Sequence, residues 1–378
     1  MMKKISKLLF FICIILCLVV MAPEARAAEI DFEGKSWDEV IEEFLAEYNV
    51  SEGQVTIGYY NTVTEEEHFY DADRYMITGS MYKVPLTMVF AEKAAAGEID
   101  LEKDTAEGFR YTVLMEGAIV QSNNDYAATL WRKLGSYHEY RRVIAPYMGE
   151  DPDNVDEKYY ENNFFTARQM LTCLKRLYGD EEKYGTVIEL MKKAEQREYF
   201  CRHEDRYQVA HKYGYLADDA RGILYLNDCG IIYTDDPYLL VCFTAGVEKP
   251  YGLIGNLCTL MSDYTQYQRK ARLDAEAAAE AERRRAEAEA AIQEAREQGL
   301  IPATPEVQAP EEASVEVPAE TGKNRLVLLI VLFALCGGLT IYAEIKSERF
   351  DLKRLLLGLF CILACLYFWL SATSTGGA

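Results

Sequence analysis

The chain has 378 residues, half of them apolar, enough for one large core plus membrane segments but not for several big domains. Its 61 acidic side chains against 40 Lys and Arg leave a formal charge of −21, which excludes a nucleic-acid partner, because phosphate recognition needs clustered cations that release counterions. Four histidines without a His-Glu-x-x-His pattern, and ten cysteines without a Cys-x-x-Cys pair, provide no metal-ligand set, so no metal or other cofactor is expected.

Residues 1–27 open with Lys3, Lys4 and Lys7, continue through the apolar run 8–20 and close on Ala25-Arg26-Ala27, a small-x-small cleavage site before Ala28. They predict a secretory signal peptide. An uncleaved anchor is the alternative, but the run is shorter than the ~20 residues a helical span prefers, and either reading exports the domain beyond it.

Ser36 with Glu39 predicts a capping box and a helix whose apolar positions Val40, Ile41, Phe44 and Leu45 recur at helical spacing. Two short strands come next, 55–60 and 66–70, then a helix from near Ser80 through 84–95 that Gly97 stops. Residues 100–200 carry helical patterns and few β-rich runs, whereas 207–215, 222–234 and 238–244 read as three strands before a closing helix. That order predicts an α+β fold over residues 30–265: an antiparallel sheet flanked by helices, with an all-helical subdomain inserted. Five cysteines fall in this part, an odd number that forbids complete pairing. Cys229 and Cys242 flank the turn Thr234-Asp235-Asp236-Pro237, so a hairpin centred there could set them face to face within disulfide reach. A bond there and two buried free thiols both remain open.

Residues 266–298, mostly Ala, Glu and Arg, predict a solvated helix with Glu280–Arg284 and Glu282–Arg285 pairs. Without a sustained apolar seam it reads as a rigid spacer of about 1.5 Å per residue rather than as a coiled coil. Residues 299–324 hold Pro302, Pro305, Pro310 and Pro318 among acidic side chains, the composition of an extended linker. Two apolar runs, 326–343 and 355–371, each near the lower limit for crossing ~30 Å of hydrocarbon, read as a transmembrane hairpin. The loop between them carries Lys346, Arg349, Lys353 and Arg354 against Lys323 and Arg325 upstream, so the positive-inside bias puts that loop in the cytoplasm and the 30–265 domain outside the cell membrane.

Ser80-Met81-Tyr82-Lys83 puts a hydroxyl and an amine one turn apart at a helix start, where lysine can take or relay the serine proton. By itself the spacing also fits a capping serine with a surface lysine. The apolar helix opening with Val84-Pro85-Leu86 would bury the amine and lower its pKa. Further on, Ser122-Asn123-Asn124 sits between the apolar Ala118-Ile119-Val120 and a helical segment, and Lys212-Tyr213-Gly214 lies in a strand. A competing Lys183-Tyr184-Gly185 lies between helical segments, where its amine could not line a sheet edge. No Gly-x-Ser-x-Gly elbow surrounds Ser80, which removes an α/β-hydrolase.

Ser-x-x-Lys, Ser-x-Asn and Lys-x-Gly in this order resemble the motif set of class A β-lactamases and penicillin-binding D,D-peptidases. The similarity spans about residues 50–265 and includes the phrases at 121–127 and 227–233. The resemblance implies a serine β-lactamase or D,D-peptidase-like fold and acyl transfer from a β-lactam or a peptidoglycan stem peptide. It implies Ser80 as nucleophile, Lys83 as its proton acceptor, Ser122 as proton shuttle to the leaving nitrogen, Lys212 as an anchor for a substrate carboxylate and Asn124 as a positioning residue. Tyr213, Gly214 and Tyr215 would line the substrate, with the N–H groups of Ser80 and Tyr215 holding the developing oxyanion.

Two departures stand against that pattern. Tyr213 occupies the place where the family has threonine or serine, displacing a carboxylate-binding hydroxyl, and Arg221 in the next connection is either a substitute clamp or an exposed loop arginine. Between Ser122 and Thr166 the loop looks shortened. Glu150 and Asn154 keep the family's i, i+4 spacing by counting back from Asn163 and Thr166, yet residues 149–153 read as an ordinary acidic turn. Without a glutamate to activate water, an acyl-enzyme is expected to hydrolyse slowly, losing a general-base factor of ~10² to 10⁴. Two function classes remain: a serine hydrolase, favoured by Ser80, Lys83, Ser122, Asn124 and Lys212 standing together, and a non-catalytic domain that senses or holds cell-wall peptide or β-lactam.

Overall fold

A computed structural model of the chain describes residues 30–298 and Leu300. The expected signal peptide, the linker apart from Leu300 and both apolar runs lie outside the described residues, among which no helix is long and apolar enough to cross a membrane.

Ser36 caps the first helix, α1 (Trp37–Glu47). Its hydroxyl accepts from the Glu39 N–H and the Glu39 carboxylate accepts from the Ser36 N–H at 2.7 Å, while Val40, Ile41, Phe44 and Leu45 are buried. β1 (Val55–Asn61) and β2 (Glu67–Tyr70) form a hairpin, and β3 (Met76–Ile77) leads into a 3₁₀ turn, Gly79–Tyr82, and α2 (Lys83–Ala95). The small hairpin β4 (Thr105–Ala106) and β5 (Phe109–Arg110) precedes α3 (Tyr111–Ile119), α4 (Asn124–Arg132) and α5 (Tyr137–Ile144). Then come β6 (Phe164–Phe165), α6 (Ala167–Gly179) and α7 (Glu181–Lys192). β7 (Gln208–Asp218), β8 (Ile223–Tyr233) and β9 (Tyr238–Ala245) complete the main sheet, and α8 (Pro250–Glu297) closes the domain.

The sheet order is β2-β1-β9-β8-β7, every neighbouring pair antiparallel, with the helical segment inserted between β3 and β7. The expected α+β architecture therefore forms, and both faces of its sheet are covered. On one face Ile57, Leu226, Leu240 and Cys242 join a core with Phe44 of α1 and Ile254 and Leu257 of α8. On the other, Cys229, Ile231, Val241 and Phe243 pack with the inserted helices. Double coverage explains why β8 and β9 read as near-continuous apolar runs rather than alternating ones.

The same register corrects the facing-cysteine expectation. Val241 stands opposite Cys229 and Asp228 opposite Cys242, so the pairing is off by one residue and the two thiols lie on opposite faces. Cys173, Cys201, Cys229, Cys242 and Cys258 are all buried free thiols.

Helix α8 continues unbroken past residue 265, and Thr265 is its last buried position. Its solvated stretch carries the expected Glu280–Arg284 pair at 2.5 Å, but Arg285 pairs forward with Glu289 at 2.9 Å, not back with Glu282. A second difference bears on function. The two-residue strands β3 and β6 pair antiparallel, Met76 with Phe165 and Ile77 with Phe164, and tie the 145–166 loop to the chain that enters Ser80.

Candidate active site

Ser80 lies within the 3₁₀ turn and not at a helix cap, because the turn starts one residue earlier at a glycine in the left-handed region. Gly79 has φ +60, and a Cβ there would come within 2.8 Å of the Tyr215 backbone nitrogen. A Cβ on Gly214 would fall 1.9 Å from the Thr78 carbonyl oxygen. Two backbones meet with no side chain between them, and that places the Lys212-Tyr213-Gly214-Tyr215 stretch of β7 against the turn carrying Ser80. The polar neighbours of this turn are equally fixed. Asn227 on β8 donates from Nδ2 to the Ile77 carbonyl at 3.0 Å and accepts the Thr244 N–H at 2.9 Å.

Lys83 is the first residue of α2, and its side chain is fully buried. Its ammonium donates to the Ser122 carbonyl at 2.6 Å, to Asn124 Oδ1 at 2.8 Å and, at 3.4 Å, to Ser122 Oγ. Burial pulls this amine down from its usual 10.5 to about 7.

Asn123, not Ser122, caps α4, its side-chain oxygen accepting the N–H groups of Asp125 at 2.8 Å and Tyr126 at 3.1 Å. That leaves the Ser122 hydroxyl to the site. Ser122 itself has φ +55, a conformation that costs a non-glycine residue on the order of 1 to 3 kcal/mol. In that conformation both its carbonyl and its hydroxyl meet Lys83. Lys212, also fully buried, donates to the same hydroxyl at 2.8 Å and to the Tyr213 carbonyl at 2.9 Å, and burial and then the Lys83 charge hold its amine well below the usual range. One serine hydroxyl thus lies between two desolvated amines.

Of the other expected site residues, Asn124 binds Lys83, Gly214 and Tyr215 meet the Ser80 turn, and Tyr213 stands over Lys212 with its ring centroid 3.9 Å from Nζ. Arg221 is a loop arginine, held by Asp218 at 2.6 Å. Lys183 belongs to α7 and pairs with Asp180 at 2.9 Å. Glu150 accepts from Gln169 Nε2 at 2.9 Å, and its neighbours 151–154 form a turn closed by the Asn154 N–H on the Asp151 carbonyl.

Two contributions escape the sequence reading. Asn163, with φ +56, offers its carbonyl to the Thr78 hydroxyl at 2.8 Å and to the Thr78 N–H at 3.2 Å, while Tyr140 donates to its side chain at 2.8 Å. The 145–166 loop therefore supports the nucleophile's turn by backbone, which no motif records. Beneath Lys212 lies a buried pair, His211 Nδ1 to Asp228 at 2.9 Å, in which Asp228 also accepts the N–H groups of Phe200 at 3.0 Å and Cys229 at 2.9 Å. Burial pulls the imidazole down, but the Asp228 charge outweighs it and lifts His211 to about 10. A lone Asp inside the apolar run of β8 was the available signal. Beside Gly79 opens a cleft of about 790 Å³, lined by Ile77, Tyr137, Tyr160, Asn163, Leu216 and Arg221 among others.

The arrangement puts one serine hydroxyl within hydrogen-bond reach of two amines, beside the turn that carries Ser80 and a cleft large enough for a substrate. No curated protein matches the chain by sequence. Solved structures do. An extended-spectrum β-lactamase, TLA-3, shares 14% identity with a TM-score of 0.52, covering 61% of this chain and 99% of its own. An ancestral class A β-lactamase shares 17% with a TM-score of 0.51, over 60% and 99%. A β-lactamase from Chitinophaga pinensis shares 16% with a TM-score of 0.50, again over 60% and 99%. These likenesses are of fold. The sequence model of one family spans the domain from the first turn of α1 to the last buried turns of α8, residues 37–264, and by that match the chain belongs to the Beta-lactamase enzyme family.

Proposed function

We propose that the domain is an active-site-serine hydrolase that takes the acyl group of a β-lactam or a D-Ala-D-Ala-like amide onto Ser80 and then passes it to water. The carrying observation is the Ser122 hydroxyl held between Lys83 and Lys212 beside the Ser80 turn. Lys83, neutral in a large fraction of molecules near pH 7, takes the Ser80 proton as the hydroxyl attacks the carbonyl. The N–H groups of Ser80 and Tyr215 hold the oxyanion. Ser122 then gives its proton to the leaving nitrogen as the acyl C–N bond breaks, and recovers one from the amines. Hydrolysis of the ester is slow, because Glu150, the expected base, accepts from Gln169 and follows the loop's shortened course rather than reaching Ser80.

The test is a labelled penicillin on the full chain. One long-lived adduct should map to Ser80 and disappear in Ser80→Ala, whose circular dichroism should be unchanged. Glu150→Gln should alter the adduct lifetime by no more than about twofold. An adduct elsewhere, or rapid turnover that collapses in Glu150→Gln, refutes the mechanism. A second reading, a non-catalytic binding domain, is favoured by the Tyr213 ring lying over Lys212. It predicts reversible binding of equal strength to wild type and Ser80→Ala.

The same proposal tethers the domain outside the cytoplasmic membrane through the apolar runs 326–343 and 355–371. What supports it is the sequence: the Lys-rich, apolar, small-residue N-terminus and the cationic loop between the runs.

A further inference from the structure

We infer that the site gains nothing from a negative charge beside the bond that Ser80 attacks, and that Tyr213 is the residue setting this indifference. The inference rests on the proposed acyl transfer through Ser80 and bears on its substrate class.

An anionic group on a substrate must find an open cation near the nucleophile. Lys212 is closed. It is 0% exposed, two of its protons go to Ser122 Oγ and the Tyr213 carbonyl, and the ring of Tyr213 covers it at 3.9 Å. The cover is itself held. Tyr213 stacks on Tyr199 with centroids 4.7 Å apart, and Tyr199 meets the Tyr251 ring edge-on at 5.6 Å. A free rotamer would swing aside at little cost; a ring in a three-tyrosine stack gives up its contacts to do so. Lys83 is equally closed, buried and facing acceptors on Ser122 and Asn124. The remaining cation at the cleft, Arg221, is exposed but paired with Asp218, and the cleft wall adds the exposed carboxylate of Glu161. Beside Ser80, then, both lysines are covered, and the one open cation lining the cleft is matched by two carboxylates, in a chain of net charge −21.

The substrates that fit then include an internal peptide bond or an esterified acyl group as readily as a residue ending in its free carboxylate. In either case the acyl–nitrogen or acyl–oxygen bond breaks, the bond from Ser80 Oγ to the acyl carbon forms, and the Ser80 proton leaves with the departing group. Water later releases the acid.

The full chain in detergent, treated with benzylpenicillin and with benzylpenicillin methyl ester, compares donors that differ in that one charge. The rate of the Ser80 mass shift should be alike for the two in wild type, within about threefold. Tyr213→Thr uncovers Lys212 and should raise the rate with the free acid relative to the ester by about tenfold or more. Tyr213→Phe keeps the ring and should keep the wild-type ratio. A wild type that prefers the free acid by about tenfold overturns the inference even if the threonine variant does not fold, as does a Tyr213→Thr that changes both donors equally. Absence of any Ser80 adduct from either donor in wild type would instead remove the acyl-transfer reading, and this inference with it.

Discussion

Burial brings the Lys83 amine to about 7, so its protonation divides the working pH range. Below that value the ammonium cannot accept the Ser80 proton; above it the neutral amine can. The acylation rate should therefore climb about tenfold per pH unit below 7 and level off above it, read by stopped-flow mass shift or fluorescence with a labelled donor. A rate flat between pH 5.5 and about 8.5 would remove Lys83 as the base. His211 titrates with the opposite sense and for a structural reason. Its folded-state value, about 10, lies above the ordinary 6.5, because the Asp228 carboxylate outweighs the cost of burial. The pair's contribution to stability is thus fully present below pH 6.5 and is lost as pH rises through 10. Asp228→Asn, which leaves a buried imidazolium without its counter-charge, should lower stability by about 3 to 5 kcal/mol at pH 6. In urea titrations that deficit should shrink as pH approaches 10; a deficit independent of pH would show the imidazole to be neutral in the folded protein.

At the scale of elements, the contact between β7 and the 3₁₀ turn decides whether the site assembles. Gly214→Ala would set a methyl group 1.9 Å from the Thr78 carbonyl, so strand and turn must separate. A displacement near 1 Å costs about 10²-fold in a reaction that depends on position, whereas the overpacking itself costs only ~1 to 3 kcal/mol. Acylation should fall by about that hundredfold while the urea transition stays cooperative; wild-type acylation would deny the close approach. The motif residues were legible because Ser80-x-x-Lys83, Ser122-x-Asn124 and Lys212-x-Gly214 stand in the order of a known motif set, and β8 and β9 because burial on both faces makes them long apolar runs. Other parts had no such mark. β3 and β6 are two residues each, too short for any period, and Asn163 acts through its carbonyl, which every residue has. The choice left open at Cys229 and Cys242 turns on a single step of register, which turn composition does not fix and which exchanges one face of the sheet for the other.

For the whole molecule, the proposed orientation puts the loop between the apolar runs on the cytoplasmic side. A cysteine introduced at Ser347 should react with a membrane-impermeant maleimide only after the membrane is opened; labelling of intact cells would reverse the orientation. The described domain adds a property of a different kind. With every one of its five cysteines buried and unpaired, it carries no covalent cross-link among the described residues, and burial raises the thiol pKa of Cys173, Cys229, Cys242 and Cys258. A protonated, enclosed thiol is a poor nucleophile, so these four are inert to alkylating agents and oxidants in the folded domain and not in the unfolded chain. At these four sites native structure and thiol reactivity are then mutually exclusive, and in excess reagent the rate of their alkylation becomes a clock for unfolding. The same coupling acts in an oxidising compartment, where each excursion to the unfolded state risks a disulfide that the native register cannot accommodate, so that the lifetime of the domain is governed by how seldom it opens rather than by any bond that holds it shut.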